Sequence, residues 1–307
     1  MSLPQLTGTG PFLTDGGLET ALVFQAGIDL PEFAAFPLLD SDRGRAAITD
    51  YFEPYLSIAQ RLGAGVVVDT PTWRASLDWG ARLGYDAARL DAVNRDAVQF
   101  VRDLAAARHG LVHVVNGVIG PRGDGYVVGS MMSAAEAAGY HAFQAQAFAE
   151  AGADMISAIT MTYAAEAIGM THAAAAVGLP VAVSFTVETD GALPSRQPLA
   201  DAIAEVDAAT GSGPAYYMIN CAHPTHFADR VAGGGPWTGR IGGLRANASR
   251  CSHAELDAAN ELDDGDPEEL GAQYAQLRRR LPGLAVLGGC CGTDHRHVAA
   301  IARACAR

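Results

Sequence analysis

The sequence predicts an α/β protein folded as a single (β/α)8 TIM barrel, and three observations lead there. Eight apolar, β-branched runs of strand length recur along the 307 residues, separated by segments of helical periodicity. The runs are continuously apolar rather than alternating, as parallel strands covered on both faces require. The length suits eight β/α units, so residues 1–307 read as one domain without linker or low-complexity stretch.

In order, the expected strands are Phe12–Thr14, Val66–Asp69, Val112–Val118, Met155–Thr160, Val181–Thr186, Tyr216–Asn220, Ile241–Ala246 and Leu284–Leu287. Between the first two, Ile48, Phe52, Tyr55, Ala59 and Leu62 recur at three- and four-residue steps, one face of a helix from Arg45 to Leu62. Ala135–Ala151 reads as a helix with Gly152 as its C-cap. Asp266-Pro267-Glu268-Glu269 opens another with a cap, a first-turn proline and acids, and Arg278-Arg279-Arg280 closes it where the helix dipole favours cations.

Composition excludes several classes. The apolar share of 49% and charged share of 18% describe an ordinary globular chain. The net charge of −13 argues against nucleic acid, since no basic stripe could meet the phosphates. The first positive charge is Arg43, so no signal-peptide n-region is expected. Gly178 and Pro180 break the most apolar stretch, so no membrane span is expected and the chain reads as cytoplasmic. All 21 basic residues are arginine. The absence of lysine removes Schiff-base chemistry, pyridoxal phosphate attachment and a Walker-type phosphate loop.

Active sites of such barrels form where strands run into the loops that follow them. Polar residues gather at these ends: Asp15, Asp69, Thr160, Thr186, Asn220, Cys221 and Asn247, then Cys290 and Cys291. Vicinal cysteines strain a disulfide between them, and glycines flank this pair. In a reducing compartment, clustered cysteines mean metal or catalysis. Cys221 ends the sixth strand and the pair ends the eighth, so all three belong on one rim as a candidate metal site. Three Cys ligands on Zn²⁺ leave the fourth tetrahedral position open, the pattern of a catalytic site. Such a site suits a substrate thiol, which zinc deprotonates outright.

Asp15-Gly16-Gly17-Leu18-Glu19-Thr20, Gly120-Pro121, Asn220-Cys221 and Gly288–Thr293 stand in this order after the first, third, sixth and eighth strands. With Ser184-Phe185-Thr186 at the fifth, the chain resembles the homocysteine S-methyltransferases over essentially its whole length. The resemblance implies zinc on Cys221, Cys290 and Cys291, with a homocysteine thiolate completing the coordination. That thiolate would take a methyl group from a sulfonium-type donor, S-methylmethionine or S-adenosylmethionine, giving methionine. Asp15 would stand beside the substrate amine. Asp15, Gly16, Gly17, Thr160, Thr186 and Asn247 are the expected substrate contacts.

One position departs from that family. Its members carry a glutamate near the end of the fourth strand, where this chain has Ile159. This keeps a different thiol acceptor open. Other readings are a zinc hydrolase assisted by His223 or His295, and a non-catalytic or corrinoid-partnered module. Pro224 interrupts His223 and His226, and His297 falls inside a helix, so these histidines read as capping or surface groups. Cys305 reads as core, Cys251 as a rim thiol, and Trp73 and Tyr126 as loop aromatics on the site side.

Overall fold

The computed structural model describes residues 3–8 and 10–306. Among them, eight parallel strands close into a barrel in sequence order, β8 returning to β1. The strands are β1 (Phe12–Leu13), β2 (Gly65–Asp69), β3 (His113–Ile119), β4 (Met155–Met161), β5 (Val181–Thr186), β6 (Tyr216–Asn220), β7 (Ile241–Ala246) and β8 (Val286–Gly289). Eight longer helices alternate with them: α1 (Asp42–Leu62), α2 (Ala87–Ala106), α3 (Ala134–Glu150), α4 (Ala164–Ala176), α5 (Leu199–Thr210), α6 (Pro224–Ala232), α7 (Pro267–Arg280) and α8 (His295–Cys305). The predicted (β/α)8 barrel is the observed fold.

Several boundaries differ for local reasons. α1 starts at Asp42 because Ser41 caps it, its side chain accepting from the Gly44 N–H. α3 ends one residue early on Ala151, and Gly152 makes the left-handed turn after it at φ 81°. α7 begins as expected, with the Asp266 carboxylate accepting from the Glu268 and Glu269 N–H groups. β8 lies two residues later than its apolar run. Leu284 is still in a turn bonded to Leu281, while Gly288 and Gly289 pair with Arg245 and Ala246 of β7. Glycine is there because a Cβ on Gly288 would come 2.9 Å from the Asp15 carbonyl oxygen.

The strand faces turned outward join α1–α8 in the main core, including Ile48, Val101, Phe148 and Ile301. The barrel interior is filled by a separate cluster that includes Phe12, Val67, Val114, Met155, Tyr216 and Val286. Gln5, from the short N-terminal helix, donates to Met155 Sδ at 3.2 Å within this interior. The polar groups therefore have space only at the other end, where the strands' C-termini lie. No helix among the described residues is long and apolar enough to cross a membrane.

Candidate metal centre

Cys221 follows β6 with φ 52°, a left-handed conformation that costs a residue with a Cβ about 1–2 kcal/mol. Neighbours on both sides hold it there. Its N–H donates to the Arg245 carbonyl at 3.1 Å, and its own carbonyl accepts from His253 Nε2. Cys290 and Cys291 follow β8 in a tight loop. The Cys290 N–H donates to Ala246, its carbonyl accepts from both the N–H and the hydroxyl of Thr293, and Gly292 turns the chain at φ 78°.

The β1 loop packs directly on this one. A Cβ on Gly17 would lie 2.6 Å from the Cys290 carbonyl oxygen, and one on Gly16 2.6 Å from that of Thr293. Both glycines are thus required by backbone-to-backbone contact.

The three Sγ atoms lie within 4.8 Å of one another, the only such group of metal-ligating side chains among the described residues. A tetrahedral zinc with Zn–S of about 2.3 Å sets its sulfurs about 3.8 Å apart, so the donor set and spacing fit zinc. Hydrogen bonds from Cys290 and Cys291 hold Cys221 well below the usual thiol range, whereas Cys290 is pushed up to about 12 and Cys291 is raised. Cys251 is exposed and apart from them, and Cys305 is buried in the core.

The wall of the pocket that opens beside the sulfurs carries Asp15, Gly16, Gly17, Glu19, Asp69 and Arg245. Arg245 was not foreseen, because it lies within an apolar strand run and gives no signal of its own. Its guanidinium bonds to Asp15 Oδ1 and Asp69 Oδ2, while Nε donates to the Gly289 carbonyl. Burial opposes its charge, but Asp69 and Asp15 more than offset this and raise its pKa. Asp15 Oδ2 accepts from the Tyr51 hydroxyl at 3.0 Å. Burial, with Asp69 adding, pushes Asp15 up to about 6 against the pull of Arg245. Asp69 Oδ1 accepts from Asn116 at 2.7 Å. Glu19 is raised to about 7, mainly by burial. Ile159 is buried and lines the same pocket.

Tyr126, from the loop after β3, stands over the sulfurs with its hydroxyl 3.5 Å from both Cys221 and Cys291 Sγ. Its ring packs on His253 at 4.4 Å, and Asp124 accepts from its N–H. A second cavity of about 340 Å³ meets the first at Trp73, Tyr126 and Cys291. Four acids line it, Asp124, Asp257, Glu261 and Asp263, against the single cation Arg74.

The other expected contacts fall differently. Asn247 lines the second cavity, with Oδ1 free of any protein partner. Thr160 and Thr186 reach neither cavity wall. The Thr160 hydroxyl accepts from Asn220, whose Oδ1 accepts from the Thr160 N–H and the Ser184 hydroxyl. Thr186 is fully buried in β5, and its hydroxyl has no protein partner. His223 caps α6, His297 caps α8 through Asp294, and His295 is exposed; neither His223 nor His295 lines either cavity. His253 was missed, because one histidine distant in sequence carries no pattern.

The sequence profile of the family described as homocysteine S-methyltransferase matches residues 12–305. No curated protein matches the chain in sequence. Among solved structures, it is similar to the homocysteine methyltransferase MmuM from Escherichia coli. The oxidized form superposes with a TM-score of 0.76 at 21% identity over 96% of both chains. The metallated form gives 0.75 at 20% over 97% of both. At this identity the likeness speaks for the fold.

Proposed function

Because the chain belongs to the homocysteine S-methyltransferase family, we propose that this methyltransferase moves a methyl group from a sulfonium donor to homocysteine on a zinc centre of Cys221, Cys290 and Cys291. The observation that carries the reading is the convergence of the three sulfurs where a narrow pocket meets a larger, acid-lined cavity. Zinc held by three thiolates and open at its fourth position would keep a substrate thiol deprotonated near neutral pH.

The protein's own residues supply placement. The β1 and β8 loops, pressed together at Gly16 and Gly17, form the pocket on the acceptor side. The larger cavity suits the donor, since four carboxylates and the aromatic rings of Trp73 and Tyr126 favour a cation over a neutral group. Tyr126 roofs the junction and keeps the sulfurs from bulk water. As the acceptor sulfur forms its new S–CH3 bond, the donor's S⁺–CH3 bond breaks. Its electron pair returns to the donor sulfur, which leaves as a neutral thioether, while the acceptor's thiol proton has already passed to solvent.

The test incubates zinc-loaded protein with homocysteine and, separately, methyl-deuterated S-methylmethionine, S-adenosylmethionine or betaine. Labelled methionine from a sulfonium donor is expected. Its absence with all three donors, while zinc stays bound, would contradict the proposal. A different thiol acceptor is the second reading, favoured by the apolar Ile159 in the acceptor pocket.

A further inference from the structure

The acceptor pocket has an uneven set of charges. Asp15 and Asp69 share the Arg245 guanidinium, and Asp15 takes a second bond from Tyr51 and Asp69 another from Asn116. One guanidinium offsets only one of these two charges, but both carboxylates already have hydrogen-bonding partners within the protein. Ile159 offers an ammonium nothing. Glu19 lines the same pocket as Cys290, and no side chain of the described residues hydrogen-bonds to its carboxylate. A carboxylate facing a pocket with no cation hydrogen-bonded to it is stabilised in its charged form by a cationic ligand.

We infer that Glu19 is the positioning residue for the acceptor's α-ammonium group, so the pocket selects an α-amino thiol although Asp15 is occupied and residue 159 is apolar. The inference rests on the proposed homocysteine reading and deepens it. The backbone places Glu19 correctly for this. The β1 loop bends at Gly16 and Gly17 against Cys290 and Thr293, and the short turn Leu18–Thr20 follows directly. The same contact that builds the metal centre therefore carries Glu19 to the acceptor side. Arg245 then has the separate task of bridging Asp15 and Asp69, which without it would repel each other.

The test compares homocysteine with 4-mercaptobutanoate, the same thiol acid without the α-amine, as acceptors for wild type and Glu19→Gln, with bound zinc measured in parallel. Wild type should prefer homocysteine. Glu19→Gln should raise the KM for homocysteine about ten- to a hundred-fold, the value of a charged hydrogen bond. It should leave kcat, the KM for 4-mercaptobutanoate and the zinc content unchanged. If Glu19→Gln does not fold, Glu19→Asp is read in the same way, with a smaller rise confined to homocysteine. Equal effects on both acceptors, or none, would overturn the assignment of Glu19 while leaving the methyl transfer intact. Failure of wild type to methylate homocysteine would instead contradict the proposed function, and the assignment would fall with it.

Discussion

Cys221 holds a conformation that its Cβ disfavours, and its bonds to Arg245 and His253 over-determine it. Such strain persists only where the surroundings enforce it, here to aim one sulfur at two others. Cys221→Ala should therefore fold, yet bind far less than one equivalent of zinc by metal analysis after dialysis. Full occupancy in this variant would rule out the three-sulfur site. Arg245 makes the opposite case. Replacing it with methionine leaves two carboxylates buried without their cation, and should cost about 3–5 kcal/mol in urea unfolding. A loss below about 1 kcal/mol would mean that the carboxylates are neutral in the fold. The cysteines were legible in the sequence because thiols on one rim carry a chemical signature. Arg245 was not, because what it does depends on carboxylates that come from two other strands.

At the scale of elements, the β8 loop and α8 divide the labour. Asp294 caps α8, its carboxylate accepting from the Arg296 N–H and side chain while its N–H donates to His297 Nδ1, and the contacts with His297 and Arg296 hold its carboxyl well below the usual 3.8 despite burial. A depressed carboxyl contributes stability that is full above pH 3.8 and is lost as pH falls below it. Asp294→Ala should thus cost about 1–2 kcal/mol at neutral pH. Its deficit against wild type, followed by urea melts, should narrow toward about pH 3. Gly17→Ala acts on the metal centre instead. The new Cβ meets the Cys290 carbonyl, so the ligand loop must shift, and zinc affinity should fall about 10- to 100-fold in a chelator competition. The helices were readable from their periodicity and caps. β8 was misplaced by two residues because its last positions are glycines, chosen for contact with β1 rather than for strand propensity.

Over the whole molecule, the barrel closes where β1 and β8 pair through only two residue pairs, Phe12 with Val286 and Leu13 with Leu287. The three converging sulfurs bear on that seam, two of them on the loop after β8 and the third after β6. Zinc bound by the native state alone should raise stability by about 2.7 kcal/mol when free zinc is a hundred times its Kd. The melting temperature should rise with zinc and fall with chelator, and one independent of zinc would place the ligands outside the cooperative fold. The barrel was legible because eight apolar runs and their helices repeat one local pattern. The convergence of the three sulfurs was legible for the same reason, since strand ends share a rim. The lining of the pocket was not: Thr160 and Thr186 stand at strand ends yet turn into the protein, and Glu19 on the pocket wall is distinguished only by its lack of a partner. In the proposed centre three protein sulfurs hold the zinc and leave room for the acceptor's. X-ray absorption at the zinc edge counts those neighbours directly. Three sulfurs at about 2.3 Å are expected in the protein alone and four when homocysteine is added; a count that stays unchanged on addition would contradict a zinc-bound acceptor thiolate.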